Sequence, residues 1–443
     1  MTRTARIAGV VVLAVGLVLA GALGIVRGRR AAAPVAAPKP DTAALRDPVI
    51  TTGSLEAAIT ALQDRLRAVP NDAASYASLG VAYVQQARVT ADATYYPKAQ
   101  GALRRSLELQ PGRNADALLG MATLAAARHD FSAALAFGER ARRLNPYDGD
   151  VYGVIGDALV ELGRYRAAFG AFQRFVDTLP GLSSYARVSY ARELRGDTAG
   201  AVQAMRAALQ VSSSPADAAW ASFQLGELFF NSGRLDAAER AYRDGSNLDA
   251  MAVTPLAGLA KVAWARGDLQ AAVDGMSDVA ARYPSPENVW MLGDLQTLAG
   301  DQMAASRSYD LVRAGSALLR ANGVDTDLEL ALFEAEHGDA ATALRMARDE
   351  WGRRRSVHAA DALAWALHAN GMFDEAARSA RVALHLGMRN PLFMYHAGMI
   401  ELARGREDEA RRFLENALDI NPFFSVLGAE AANEALAGLR GTA

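Results

Sequence analysis

The stretch "VHAADALAWALHANG" places His358, Asp361, Trp365 and His368 near one helical face, at offsets of 3, 7 and 10 residues. Histidine and aspartate are side chains that ligate metals or move protons near neutral pH. At 1.5 Å rise per residue, however, His358 and His368 stand about 15 Å apart along a helix, too far to share one ion. They read as ordinary helix residues with one polar side. Just upstream, "WGRRRSVH" holds Arg353, Arg354 and Arg355, which read as a solvated loop or helix end, or else a small contact patch. No phosphate loop, nucleotide fingerprint, nucleophile elbow or HExxH pattern occurs. The chain has no cysteine, which excludes disulfides, thiolate metal sites and thiol nucleophiles. No catalytic residue, metal or cofactor is expected.

The elements that carry these residues follow from composition and spacing. At 443 residues the chain exceeds what one hydrophobic core supports, so it is several domains or a repeat array whose core grows lengthwise. Apolar residues make up 51% of it with only 15 prolines, and alanine, leucine, arginine and glutamate dominate, the mix of amphipathic helices. A net charge of -2 argues against nucleic-acid binding, which needs a surplus of Lys and Arg on one face. Lysine occurs only at Lys39, Lys98 and Lys261, a bias in favour of arginine that fits a GC-rich bacterial genome.

Residues 1–30 read as a membrane anchor. "IAGVVVLAVGLVLAGALGIV" runs from Ile7 to Val26 without a charge, long enough for one transmembrane helix. A cleaved signal peptide is the rival reading, but its apolar core is normally shorter and is followed by small residues rather than "RGRR". Arginines flank the span on both sides, so charge barely orients it. The thiol-free chain leans the folded part to the extracytoplasmic side, which makes this a single-pass cell-membrane protein. Residues 31–52, with "AAAPVAAPKP", form a Pro/Ala-rich linker.

Beyond the linker the sequence repeats. Alanine recurs at Ala99, Ala134, Ala168, Ala201, Ala238, Ala272, Ala305, Ala343, Ala376 and Ala410, every 33 to 38 residues. Twelve before each from the second on stands a small residue: Ala122, Gly156, Ser189, Gly226, Ala260, Gly293, Ala331, Ala364 and Gly398. Two small positions per period mean two closely packed helices. Proline twelve after the anchor, as at Pro111, Pro146, Pro180, Pro284 and Pro422, ends the second helix. Glycine in turns such as "ELGRY", "NSGRL" and "ARGDL" supplies the left-handed cap.

This 34-residue helix-turn-helix resembles the tetratricopeptide repeat, best in "Tyr152, Ile155, Gly156, Leu159, Tyr165, Ala168, Phe172, Pro180". The likeness covers residues 53 to 443, although the typical Trp of the first helix is absent and several repeats lack the final proline. It implies an all-α solenoid, a right-handed superhelix: a half repeat then ten repeats over 53–422, and a C-terminal capping helix over 423–443. Extra residues at "SSSP" and "RANGVDTD" fall between repeats as loops or a lengthened helix.

The resemblance also assigns a concave groove to five places on each first helix. Acidic residues crowd these places, among them Asp157, Glu161, Glu193, Glu227, Asp294 and Asp361, and Lys261 is the one basic residue. Aromatics join them at Tyr190, Trp220, Phe223, Phe230, Trp264, Trp290, Trp365 and Tyr395. An acidic, aromatic-lined groove suits a basic protein segment held by charge and cation-π contact. The expectation is therefore a membrane-tethered scaffold or adaptor for a protein or peptide ligand, not an enzyme. A cell-envelope glycan or peptidoglycan is the alternative ligand, and packing between neighbouring helices is the alternative role of the aromatics.

Overall fold

The computed structural model describes residues 52–441. The apolar span and the linker lie outside the described residues. Among the described residues, no helix is long and apolar enough to cross a membrane.

The described chain is an all-helical repeat solenoid of 22 helices. After α1 (Thr52–Ala68) come five pairs: α2 (Ala73–Thr90) and α3 (Tyr95–Leu109), α4 (Ala115–Ala127) and α5 (Phe131–Leu144), α6 (Gly149–Glu161) and α7 (Tyr165–Thr178), α8 (Leu182–Glu193) and α9 (Thr198–Gln210), α10 (Pro215–Asn231) and α11 (Leu235–Leu248). Next are α12 (Thr254–Ala265) and α13 (Leu269–Arg282), then α14 (Pro286–Leu298) and α15 (Gln302–Ala321). The last pairs are α16 (Asp327–His337) and α17 (Ala340–Arg353), α18 (Val357–Ala369) and α19 (Phe373–Ala383), and α20 (Pro391–Ala403) and α21 (Glu407–Ile420). A single helix, α22 (Gly428–Gly441), follows. The extra residues at "RANGVDTD" follow a lengthened helix, α15, which runs 20 residues.

The two helices of a pair differ in burial. A second helix buries one stripe; in α7 this is Tyr165, Ala168, Ala171, Phe172 and Phe175. A first helix is flanked on both sides, and in α6 all 13 residues are buried. Carboxylates placed on first helices are thereby carried out of water.

The small positions are explained by one recurring contact. A Cβ added at Gly156 would stand 2.4 Å from the ring of Phe172. The same clash arises between Gly226 and Tyr242 at 2.3 Å, Gly293 and Tyr309 at 2.4 Å, and Gly398 and Leu414 at 2.7 Å. Each pair joins a small residue to a large one sixteen positions later, so the bulk of the second helix fills the notch of the first. Tyr242 also fills a notch in the following first helix, at Gly258. The turn glycines take left-handed backbone, as at Gly163 with φ 71°. Ala91 and His129 hold the same conformation without being glycine, at φ 55° and 62°.

The chain divides into two compact units. The first comprises the described residues up to Val188 together with Ala207–Ala218 and Ala317–Asp325. Its core gathers Tyr96, Leu103, Leu124 and Phe131, and the end of the long α15 and the turn after it add Leu319 and Val324. The Asp325 amide donates to the Arg128 carbonyl at 3.1 Å, and His129 Nδ1–H donates to the Asp325 carbonyl at 2.6 Å. The second unit comprises Ser189–Arg206, Ala219–Ser316 and the residues from Thr326 on. Within it, residues far apart in sequence meet: the turn at Gly196 packs on the Gly387 carbonyl, and the turn at Gly233 on Ile420 and Asn421.

Candidate functional site

The carboxylates singled out in the sequence lie on first helices, and most meet a base from the next first helix. In the first unit, Asp157 of α6 takes three contacts of 2.6 to 3.0 Å from Arg187 of α8, with both side chains buried. Glu161, at the end of α6, is also fully buried.

The second unit repeats the pattern with other bases. Glu227 of α10 pairs with Lys261 of α12 and accepts the Tyr242 hydroxyl at 2.6 Å. Asp294 of α14 stands 3.0 Å from His337 Nε2 of α16 and accepts the Tyr309 hydroxyl at 2.9 Å. Asp361 of α18 stands 2.9 Å from His396 Nδ1 of α20. In two of these repeats the second-helix tyrosine that fills the glycine notch also bonds the carboxylate beside that glycine. The third repeat has Phe172 there, which offers no hydroxyl, and Asp157 is served by Arg187 instead.

The aromatics separate into two groups. Tyr190, Phe230, Trp365 and Tyr395 are buried. Trp365 lies stacked between His396 at 4.2 Å and His368 at 4.8 Å, so His368 serves packing rather than ligation. Burial and the neighbouring His396 lower the His368 pKa. His358 turns its ring edge-on to Phe393 instead of converging with His368. By contrast Trp220, Phe223, Trp264 and Trp290 are part-exposed. The Trp290 indole donates to His337 Nε2 at 3.0 Å.

Two carboxyls of the second unit sit among like charges. Burial and Glu227 push Glu193, at the end of α8, up to about 7. Burial, Asp294 and Asp361 push Glu336 up to about 8. Glu336 therefore gathers Asp294 and Asp361 into one electrostatic cluster, a member that the five groove places do contain but that draws its importance from a neighbouring helix. Among the described residues, no group of three or more His, Asp or Glu side chains could hold a metal ion.

The basic run lies at a helix end: Arg353 is the last residue of α17, and Arg353 and Arg355 are exposed. Arg354 is buried against Glu350, Arg353 bonds Asp327 at 2.7 Å, and Arg355 covers the Trp351 ring. Each guanidinium has a partner on α16 or α17. Sequence spacing missed Arg187, His337 and His396, because they lie outside the five places read for the groove. A search for a base about one period after each first-helix acid would have found Arg187, Lys261 and His396.

Residues 393–424 match the tetratricopeptide repeat family. One repeat of the solenoid of helix pairs and notches described above therefore matches that family. No curated protein matches the sequence. Among solved structures, the chain is similar to the Cut9–Hcn1 hetero-tetramer of APC/C, at 17% identity and a TM-score of 0.38 over 87% of this chain and 73% of that one. It is also similar to yeast Tom70, at 16% identity and 0.36 over 88% and 86%. Human IFIT1 bound to PPP-AAAA aligns at 12% identity and 0.45 over 83% and 86%. At such scores these likenesses carry no argument about function.

Proposed function

We propose that the chain is a non-enzymatic scaffold that holds a segment of another protein against its first helices. Residues 7–26 tether it to a membrane, and the repeats stand on the extracytoplasmic side. The observation that carries the reading is a row of part-exposed tryptophans on three successive first helices: Trp220 on α10, Trp264 on α12 and Trp290 on α14. Large rigid aromatics at consecutive repeats offer contact area at low entropic cost, which is what recognition of an extended segment needs.

The charge of that segment follows from the carboxyls. Glu227, Asp294 and Asp361 already have Lys261, His337 and His396 as neighbours, so the face is not uniformly acidic. Burial, with the neighbouring carboxylates adding to it, raises the pKa of Glu193 and Glu336. A cationic side chain placed beside either one reverses that penalty, and a basic segment therefore gains most at these two points.

An arginine-rich synthetic peptide, titrated against the full chain by fluorescence anisotropy, tests this. Binding is expected to weaken on E193Q/E336Q and with added salt. Equal binding by parent and variant refutes a charge-selective face. Salt-insensitive retention of a glycan instead would favour the envelope-polysaccharide ligand.

A further inference from the structure

The stretch Pro422–Leu427, between α21 and α22, is not a plain connection to a capping helix. It lies across the first helices of earlier repeats. Phe423 meets Trp264 of α12 edge to face, with ring centroids 6.2 Å apart. Val426 is buried in one cluster with Ala260 of α12, Met276 of α13 and Leu292 of α14, and Leu427 packs on its margin. The segment thus sits on the central tryptophan of the row described above.

How it is held is unusual for a permanent part of a core. Its hydrogen bonds are local: the Phe423 amide donates to Asn421 Oδ1, and the Gly428 amide donates to Ser425 Oγ. Among the described residues, no hydrogen bond joins residues 421–428 to α12, α13 or α14. At the base of the segment Asn421 is fully buried, and its Nδ2 has no hydrogen-bond partner. An orphaned buried amide is a penalty that opening to water removes. An open cavity of about 380 Å³ lies beside this base, lined by Ser232, Arg389, Asp419 and Ile420 among others.

We propose that the face of α12–α14 around Trp264 is a recognition surface for extended apolar segments, held shut by the chain's own Pro422–Leu427. A partner segment bearing an aromatic and an aliphatic side chain three residues apart, as Phe423 and Val426 are, displaces it. The inference rests on the first-helix face being the partner site. It adds that this part of the face selects apolar chemistry and is occupied in the resting chain.

The chain has no cysteine, so single cysteines report opening directly. In the full chain, Val426→Cys is expected to react with a thiol reagent at least about 100-fold faster than Met276→Cys, which shares the cluster from within α13. Equal rates overturn the proposal. A labelled peptide of residues 419–429 is then titrated against the parent and against F423A/V426A. The variant is expected to bind it at least about tenfold more tightly, and addition of Trp264→Ala removes the gain. A helical variant that binds the peptide no better than the parent also overturns the proposal. If the double variant loses its helical signal, the cysteine rates decide. Slow Val426→Cys labelling together with partner loss in the tryptophan variants defeats this inference alone and leaves the scaffold reading standing.

Discussion

Arg187 forks Asp157: Nε lies 2.9 and 3.0 Å from the two carboxylate oxygens, Nη2 lies 2.6 Å from Oδ2, and neither side chain meets water to any extent. This pair joins α6 to α8 across a repeat boundary. Removing one partner leaves the other charge buried and uncompensated. Arg187→Ala is expected to destabilise the first unit by about 3–5 kcal/mol in urea unfolding. Asp157→Leu combined with Arg187→Met is expected to recover most of that loss. A single variant as stable as the parent would show the pair to be dispensable.

The notches set a second expectation. Gly226→Ala forces a methyl into the Tyr242 ring, which Gly258 already confines from the other side. Overpacking of this kind costs about 1–3 kcal/mol. Gly101, inside α3, has nothing within 4 Å of an added Cβ. Gly101→Ala is therefore expected to stabilise by about 0.5–1 kcal/mol, because the unfolded chain loses freedom without a clash. Thermal unfolding of the two variants should move in opposite directions.

His129 holds a left-handed backbone where other turns use glycine, and its ring bonds the Asp325 carbonyl. His129→Gly removes the strain and the bond together, whereas His129→Ala removes only the bond. The glycine variant is expected to be the more stable of the two by about 1 kcal/mol. An alanine variant equal to the glycine one would mean that the turn carries no strain.

Stability should depend on pH through three carboxyls of the second unit. Burial, with Glu287 and Glu350 nearby, pushes Glu329 up to about 8, alongside Glu336 at about 8 and Glu193 at about 7. From their ordinary value of 4.5 up to these values, the folded chain holds protons that the unfolded chain has lost. Stability therefore falls as pH rises from about 5 to about 8. The melting temperature is expected to drop by on the order of several degrees across that window, and less in E336Q. A rising melting temperature would contradict the assignment.

The sequence-to-structure relationship differs between periodic and non-periodic features. Helix pairs follow from the alanine anchors, the turn glycines and the notches, because packing within a repeat is local. The partners of the acids were less legible. Arg187 and His396 sit two residues before the small position, outside the places read for the groove, and an imidazole was not counted as a base. Trp365 and Trp264 occupy related first helices, yet one is sealed between two histidines and the other stays part-exposed. The reach of Phe423 to Trp264 joins distant repeats, and no local pattern encodes such a contact.

The most direct test of the scaffold account is an affinity capture by the full chain, run beside a variant with Trp220, Trp264 and Trp290 all replaced by alanine. Trp365 is left alone because it belongs to the core. The account predicts one or more polypeptides retained by the parent and lost by the variant while its helical signal and melting temperature persist. The same polypeptides retained by both, or none retained by the parent, would contradict it.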